Sequence, residues 1–564
     1  MSPHLPSPLR LALSSLVLLP ASLGYTSAAE PLIRPDALLK HTTVLSSDAF
    51  EGRGPGTAGE TASVNYITEQ FKAMGLQPGN PDGSYIQKVP LLGINSQPKV
   101  SFAGCAAKLK LDAPVDYVAF STHAKPRVEV KDSDLVFVGY GVVAPEYGWD
   151  DYKGVDVRGK TIVMLINDPQ VVDPKDPGKL DDKRFKGKAM SYYGRWTYKY
   201  EIAAQKGAAG AIIIHETVPA AYPWIVVVNS NSHENFTIKS SDGNAGDVAV
   251  RSWMRLDHAK ILFRDCGQNF DKLKKAAIRP DFRPVPLKGS ASFTIDQTLR
   301  NIESANVVAK LEGSDAAAKD EWLLYTAHWD HLGRRGNDIY HGASDNASGT
   351  AALLELARAY QDATTAGQRP KRSVLFMATT AEEAGLLGAA YYAANPLYPL
   401  NKTVADLNID GINSYGKTRD VVIVGAGHTN IEAMATEAAQ QQGRVIKPEA
   451  KPENGGYFRA DHFELVKAGV PSLYIWGGID YIDQPAGYGL KKIEQYIAND
   501  YHKPSDIVRP DWTMEGGAQD MELLYQVGRR LADGKERPLF NASSEFKARQ
   551  DALLKSAGTA SGSK

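Results

Sequence analysis

Only two cysteines, Cys105 and Cys266, occur in 564 residues. That excludes a cysteine-rich disulfide framework, and it excludes a structural zinc site built on thiolates, which needs more of them. No charge of one sign prevails: 64 Lys and Arg face 65 Asp and Glu, for a net charge of −1. So balanced a chain exerts no general pull on nucleic acid or on acidic membranes, and peptides or small molecules suit it better as partners. Beyond Glu30 no apolar run is long enough to span a bilayer, and no repeat of solenoid period is present.

What is there begins with a leader. Arg10 precedes an apolar stretch from Leu11 to Leu23, followed by the small residues Ser27-Ala28-Ala29. This pattern predicts a signal peptide over residues 1–29, cut after Ala29, and a mature chain that is secreted or periplasmic with no membrane insertion. In an oxidising compartment Cys105 and Cys266 have two outcomes, a disulfide or two buried free thiols.

The length exceeds what one hydrophobic core organises, so several units are expected. Residues 30–94 contain an amphipathic helix, Thr61 to Met74, with Val64, Ile67, Phe71 and Met74 on one face. Residues 95–290 change to short β-type runs broken by Gly and Pro, such as Leu135 to Val138 and Thr161 to Leu165, and predict a β-rich insert. Residues 291–540 alternate strands with helices. The strands are Ala305–Leu311, Trp322–Ala327, Ser373–Ala378, Val404–Ile409, Val421–Val424 and Ser472–Ile475, and the helices include Gly349–Tyr360 and Asn430–Gln441. This alternation predicts an α/β fold with a doubly wound, mixed and largely parallel sheet sandwiched by helices. Residues 541–564 form a tail, polar and small from Ser556 and expected to be disordered there.

Open α/β sheets bind ligands at the carboxyl ends of their strands. Here those ends carry an unusual density of acids and imidazoles. "AHWDHLG" supplies His328, Asp330 and His331 after one strand, and "HGASDNASGT" supplies Asp345 at the start of the next helix. "TTAEEAGLLGA" supplies Glu382 and Glu383, "LNIDGI" supplies Asp410, and "NDYHKPSD" supplies His502. Singly each has a bland explanation: Asp345 as a helix cap, the Glu pair as a solvated face, Asp330 as a turn residue. Jointly they suit a pair of divalent cations held by carboxylates and neutral imidazoles.

The succession of these motifs resembles the co-catalytic dizinc exopeptidases of peptidase family M28. "LSSDAFEGRGPGTAGE" is similar to that family's leading segment, and "VFVGYGVVAPEYGWDDYKGVDVRGKTIVML" resembles the protease-associated (PA) domain that many members carry. The resemblance implies a zinc exopeptidase fold, a peptide substrate and two zinc ions, with cobalt or manganese as alternatives. It assigns His328 and Asp410 to one metal, Glu383 and His502 to the other, and Asp345 to both. Asp330 would accept the ring N–H of His328 and fix its tautomer, and Glu382 would be the general base. His331 is expected to be structural.

"GGYFRADHFELVKAGVPSLYIWGG" resembles the family's substrate-pocket segment, with Ala460 where many relatives have serine. It implies Tyr457 as a donor to the oxyanion and Asp461 and His462 as substrate contacts. Asp461, Glu464 and Glu382 against the single cation Arg459 favour recognition of a free amine, hence an aminopeptidase. Arg195 or Lys199 of the insert, folded over the site, would weigh the other way. The alternatives are a carboxypeptidase of the same family, a glutaminyl cyclase-like transferase and a non-catalytic receptor-like protein.

Overall fold

The structure, a computed structural model, describes Met1 and residues 32–560. Apart from Met1, the expected leader lies outside the described residues. Strands Trp322–His328, Ser373–Thr379 and Thr403–Asn408 are buried at every position. Covered on both faces, the first two appear in the sequence as near-continuous apolar runs rather than as alternation, and the third buries Asp406 and Asn408 against the Thr326 hydroxyl. They pair in parallel, with Leu324 beside Leu375 on one side and Asp406 on the other. Ser472–Gly477 continues the parallel set, and Asp420–Ile423 joins it antiparallel.

The two faces of this centre pack different layers. Leu323, Tyr325 and Ala327 share a core with helices Ser348–Thr365 and Glu515–Asp533. Trp322 and Leu324 face Tyr392 and Leu465, from helices Leu387–Ala394 and His462–Lys467. The result is the α/β sandwich that the alternation predicts, and the parallel strands deliver their carboxyl ends to one rim.

On its other side the sheet is carried by a long antiparallel ribbon. Strand Val285–Leu311, of 27 residues, pairs with Ser373–Thr379 near its end and with Ile86–Gly104 along most of its length. The ribbon extends the same sheet into residues 95–290. There Arg127–Phe137 adds to it, followed by the parallel strands Thr161–Leu165, Gly210–His215 and Val250–Arg255, with Tyr117–Phe120 at the edge.

The insert also holds more helix than its β-type sequence predicts. Helices Trp196–Gln205, Trp224–Asn231, Leu256–Asp265 and Phe270–Ala277 flank its strands. Trp224–Asn231 contains the β-branched run Ile225-Val226-Val227-Val228, yet it is helical. Val227 is buried in the insert core and the Trp224 indole donates to the Val115 carbonyl at 2.9 Å, tertiary contacts that override a weak local preference.

Cys105 and Cys266 form a disulfide across a sequence separation of 161, which decides between the two outcomes left open by the sequence. The tail differs from expectation: helix Lys547–Ala560 runs past Ser556. Its Leu553 packs against the core around Trp322, which gives the segment an apolar anchor that composition alone does not reveal. Among the described residues no helix is long and apolar enough to cross a membrane.

Candidate metal centre

The carboxyl ends of three parallel strands, the turn before helix Ser348–Thr365 and one late loop bring six predicted residues together. His328 ends its strand, with Nε2 3.2 Å from Asp410 Oδ1 and 3.3 Å from Asp345 Oδ1. His502 Nε2 lies 3.3 Å from Asp345 Oδ2 and 3.0 Å from Glu383 Oε2. The two oxygens of Asp345 thus face two different imidazoles. Glu382 Oε2 stands 3.9 Å from His328 Nε2. The adjacent carboxylates Glu382 and Glu383 therefore part, one toward the His328 group and the other toward His502.

These spacings test the fit of metal ions. Donors about 2.0–2.1 Å from a tetrahedral zinc stand roughly 3.3 Å from one another. The observed 3.0–3.3 Å separations match, and the side chains form two adjacent groups whose ligand atoms lie within 4.8 Å, His328–Glu382–Asp410 and His331–Asp345–Glu383. A donor set of nitrogen and carboxylate oxygen without sulfur suits zinc.

Charge reinforces the point. Burial works against a protonated His328, yet the Glu382, Asp330, Asp345 and Asp410 carboxylates hold its pKa well above the ordinary value. Burial likewise opposes ionisation of Glu383, but His502 and His331 hold it down to about 2. Glu382 is pushed well above the usual carboxylate range by burial and by Asp410, Glu383 and Asp461, against the pull of His328. So many buried acids need compensating positive charge, which divalent cations supply.

The surroundings fix this geometry, through residues that the sequence analysis passes over. Arg53, from the "EGRGPGT" segment, is 1% exposed. Its guanidinium donates to the carbonyls of Leu45, Trp329, His341 and Gly342 at 2.7–2.8 Å. It therefore clamps the loop leading to Asp345 against the end of the His328 strand. Asp506, from "YHKPSD", accepts the N–H groups of Ser344 and Asp345 at 3.0 and 3.2 Å. Asn346 joins that loop to the next, donating to the Ile409 carbonyl and accepting from Gly411 N–H. Tyr474 donates to the Asp410 carbonyl at 3.0 Å.

Two placements differ from expectation, that of Asp330 and that of the pocket segment. His328 Nδ1 meets the main-chain oxygen of Asp330 at 3.1 Å, whereas the Asp330 carboxylate is 3.7 Å away and accepts the Glu382 N–H at 3.0 Å. A backbone carbonyl orients the imidazole as well as a carboxylate does, and Asp330 instead positions Glu382. His331 is the hydrogen-bonding neighbour expected of a structural residue: its Nδ1 sits 2.5 Å from Glu383 Oε1, behind the oxygen that faces His502. The pocket segment also divides. Asp461 is buried at the cluster, accepting from Thr379, with its other oxygen unpartnered and its carboxyl pushed up to about 7 by burial.

Tyr457 and His462 are not brought to the ligands. The Tyr457 ring stacks on His428 at 4.4 Å, and the acids nearest its hydroxyl are Glu545, Glu432 and Asp406. His462 is fully buried, edge-on to Tyr457. Besides Tyr474, a phenol that does stand at the cluster is Tyr501, stacked on His502 at 3.9 Å. Burial pushes it up to about 12, with His502 opposing and Asp345 and Glu383 adding. Its signal was its place beside His502 in "YHKPSD". Glu464 is engaged by Lys467 at 2.8 Å, and Lys199 is buried on the Tyr140 and Asn167 carbonyls, so neither faces the cluster. Arg195, in contrast, joins Arg459 in one cavity, so Arg459 is not a lone cation.

Residues 306–525, which include all five ligand positions and Glu382, match the model of peptidase family M28. Mouse aminopeptidase NAALADL1 is 33% identical over 136 residues, 23% of this chain and 17% of that protein. A probable glutamate carboxypeptidase, AMP1 of Arabidopsis thaliana, is 25% identical over 246 residues, 40% of this chain and 33% of that protein. The match thus spans a third or less of these curated relatives' length. Among solved structures, an aminopeptidase of Aneurinibacillus sp. strain AM-1 aligns over 90% of this chain and 95% of its own, at 16% identity and a TM-score of 0.45. A zinc aminopeptidase of Bacillus subtilis aligns over 91% and 97%, at 17% identity and a TM-score of 0.44. Residues 306–525 are thus similar to peptidase family M28.

Proposed function

We propose that the protein is an exported, metal-dependent exopeptidase that releases residues from the amino end of peptides. One observation carries the reading: Asp345 presents one oxygen to His328 and the other to His502, with Asp410 and Glu383 completing two adjacent donor groups. His328 and Asp410 would hold one zinc, Glu383 and His502 the other, and Asp345 both. Bound there, the ions would lower the pKa of a water and polarise the scissile carbonyl.

The chain's own residues do the rest. Glu382, oriented by its N–H bond to Asp330, accepts a proton from the attacking water and delivers it to the leaving amine. Its raised proton affinity matches that two-way task. The Tyr501 hydroxyl, anchored by stacking on His502, is placed to donate to a developing oxyanion. Glu382 beside Asp410 makes the cleft acidic, which suits a substrate ammonium and supports attack from the amino end. The leader read over residues 1–29 and the Cys105–Cys266 disulfide both suit export. Residues 95–290 are read as a PA-type insert whose contribution to the site is Arg195.

A second reading, cleavage from the carboxyl end, is favoured by the meeting of Arg195 with Arg459. Zinc-loaded protein is assayed on one peptide in three forms: free, amino-terminally acetylated and carboxyl-terminally amidated. Acetylation is expected to abolish release of the first residue while amidation leaves cleavage at the amino end. The reverse pattern assigns a carboxypeptidase, and hydrolysis of neither end removes the exopeptidase reading.

A further inference from the structure

Residues 181–195 of the insert lie against the catalytic half, and polar contacts hold them there. The Met190 N–H donates to the Pro452 carbonyl at 3.1 Å, and Lys188 and Glu453 form an exposed pair at 3.3 Å. Lys186 goes deeper: its Nζ lies 2.8 Å from His428 Nε2 and 3.2 Å from Glu545 Oε2. The His428 and Glu545 side chains are 4% and 10% exposed. Insert, catalytic half and tail thus meet in one ion pair and one imidazole.

The hydrogen bond fixes the state of that ring. An ammonium offers only N–H donors, so His428 Nε2 presents its lone pair to Lys186. The proton of the neutral imidazole then sits on Nδ1, which donates to Ser544 Oγ at 3.1 Å. Burial, then Lys186 and His462, hold the imidazole well below its ordinary value. A second ring proton would point an N–H at the Lys186 ammonium, donor against donor and cation against cation. The Lys186 contact and an imidazolium at His428 therefore exclude each other.

The other groups around the ring leave this conflict standing. The Tyr457 ring stacks on it at 4.4 Å, and Phe546 tilts against it at 5.6 Å. His462, on helix His462–Lys467, is itself kept neutral by burial. Glu432, on helix Ile431–Gln441, is occupied by the main-chain N–H groups of Gly427, His428 and Thr429. Tyr147 and Tyr193 of the insert, raised by burial, stay neutral phenols on the Glu545 side. Glu545 is the acid within reach of an imidazolium, its Oε2 3.8 Å from Nδ1. Acid thus exchanges one ion pair, Lys186 with Glu545, for another, His428 with Glu545, and the exchange expels the lysine. The tail stays in place, because the Asn541 N–H donates to the His428 carbonyl at 2.8 Å and Thr429 bridges Phe540.

We propose that Lys186, His428 and Glu545 form a pH-operated latch, which holds the insert against the catalytic half near neutral pH and releases residues 181–195 in acid. The sign follows from linkage. A free imidazole takes up its proton near 6.5, whereas the latched ring does not, so the latch is fully favoured above 6.5 and is lost as pH falls below it. Each pH unit below that value favours release about tenfold. The latch concerns how the insert is held and stands apart from the peptidase reading, since its readouts are structural.

The test is hydrogen exchange of residues 181–195 in the zinc-loaded full chain from about pH 7.5 to about pH 5, read by mass spectrometry and corrected for the intrinsic pH dependence of exchange. Protection in the parent should fall about 10- to 30-fold over that range. His428→Gln keeps an oxygen that accepts from Lys186 but takes up no proton, and its protection should stay within about threefold. Lys186→Met, at a side chain 29% exposed, should be released already at neutral pH and change little in acid. Loss of zinc in acid acts on parent and variants alike, so the difference between them isolates the latch. Parent protection that does not change with pH overturns the proposal, and so does a His428→Gln protein that loses protection as the parent does. Should His428→Gln fail to fold, Lys186→Met decides: release at neutral pH upholds the latch, and parent-like protection there overturns it. Magnetic resonance of isotope-labelled histidine gives a second readout, with the Nδ1–H tautomer expected for the ring that titrates only after release. An Nε2–H ring at His428 in the neutral protein refutes the Lys186 contact on which the latch depends.

Discussion

Replacing Arg53 with methionine asks whether one buried guanidinium organises the loop that carries Asp345. The side chain is 1% exposed and donates to four carbonyls, those of Leu45, Trp329, His341 and Gly342. Hydrogen bonds from a charged donor contribute roughly 1.5–3 kcal/mol each, but four on one group do not add. Burial lowers Arg53 to about 10, while Asp506, Asp330, Asp345 and Glu383 oppose it, so the group stays charged at neutral pH and balances those acids. Methionine removes that charge and takes the donor from the Leu45, Trp329 and His341 carbonyls, while Gly342 keeps the Ala347 N–H. A loss of about 3–5 kcal/mol follows, the range for breaking a buried ion pair. Slackening of the Asp345 loop should also weaken zinc binding about 10- to 100-fold. Arg53→Lys keeps the charge but loses the planar fork, and is expected between the two at about 2 kcal/mol. Urea unfolding of the metal-free protein followed by circular dichroism measures the first effect, and competition with a chromophoric chelator the second. Arg53→Met within about 1 kcal/mol of the parent, with zinc affinity unchanged, would show that the loop holds its shape without the clamp.

Three further outcomes are expected. Glu382→Gln should keep both metals by elemental analysis yet lose about 10²–10⁴-fold in turnover, because the proton acceptor is gone; near-parent turnover would remove Glu382 as the base. Asp345→Ala should deplete both metals, since its two oxygens serve both imidazole groups; two ions per chain in that variant would refute the bridging assignment. His462, buried and lowered from 6.5 to about 3, binds no proton in the folded state while the unfolded chain takes one up, so its contribution to stability is lost as pH falls below about 6.5 toward 3. Between pH 7 and 5 this amounts to about 2 kcal/mol, and His462→Leu should shrink the acid-induced loss by that much in urea titrations at the two pH values. An unchanged acid sensitivity would contradict a neutral buried imidazole.

His328, Asp410, Glu382 and Glu383 of the candidate centre were legible because each lies at or just beyond the end of a buried strand, and Asp345 and His502 because of the motifs around them. His328 closes Trp322–His328, Asp410 follows Thr403–Asn408, and Glu382 follows Ser373–Thr379. Local order along the chain thus carried the chemistry, since parallel strands in one sheet deliver their ends to one rim. The α/β class was legible for the same reason. Tyr457 and His462 show the limit. Their segment was recognisable, but which ring of "GYFRADH" faces the cluster depends on how a 3-10 turn and the helix His462–Lys467 pack, and the stacking on His428 turns Tyr457 away.

Short-range pattern along the chain therefore encodes the strand ends and the acids and imidazoles they bear. What only the tertiary structure decided depends on residues far apart in the chain. Arg53 reaches carbonyls 276 to 289 positions away. Asp506 holds the Ser344 and Asp345 amides, and Cys105 finds Cys266. Arg195 meets Arg459 because a ribbon of two long strands brings the insert into the same sheet as the catalytic half, and because Met190 is pinned to Pro452 beneath them. No periodicity announces such meetings. They arise when apolar burial folds the sheet and its helices together, and each buried polar group then takes the partner that packing leaves within reach.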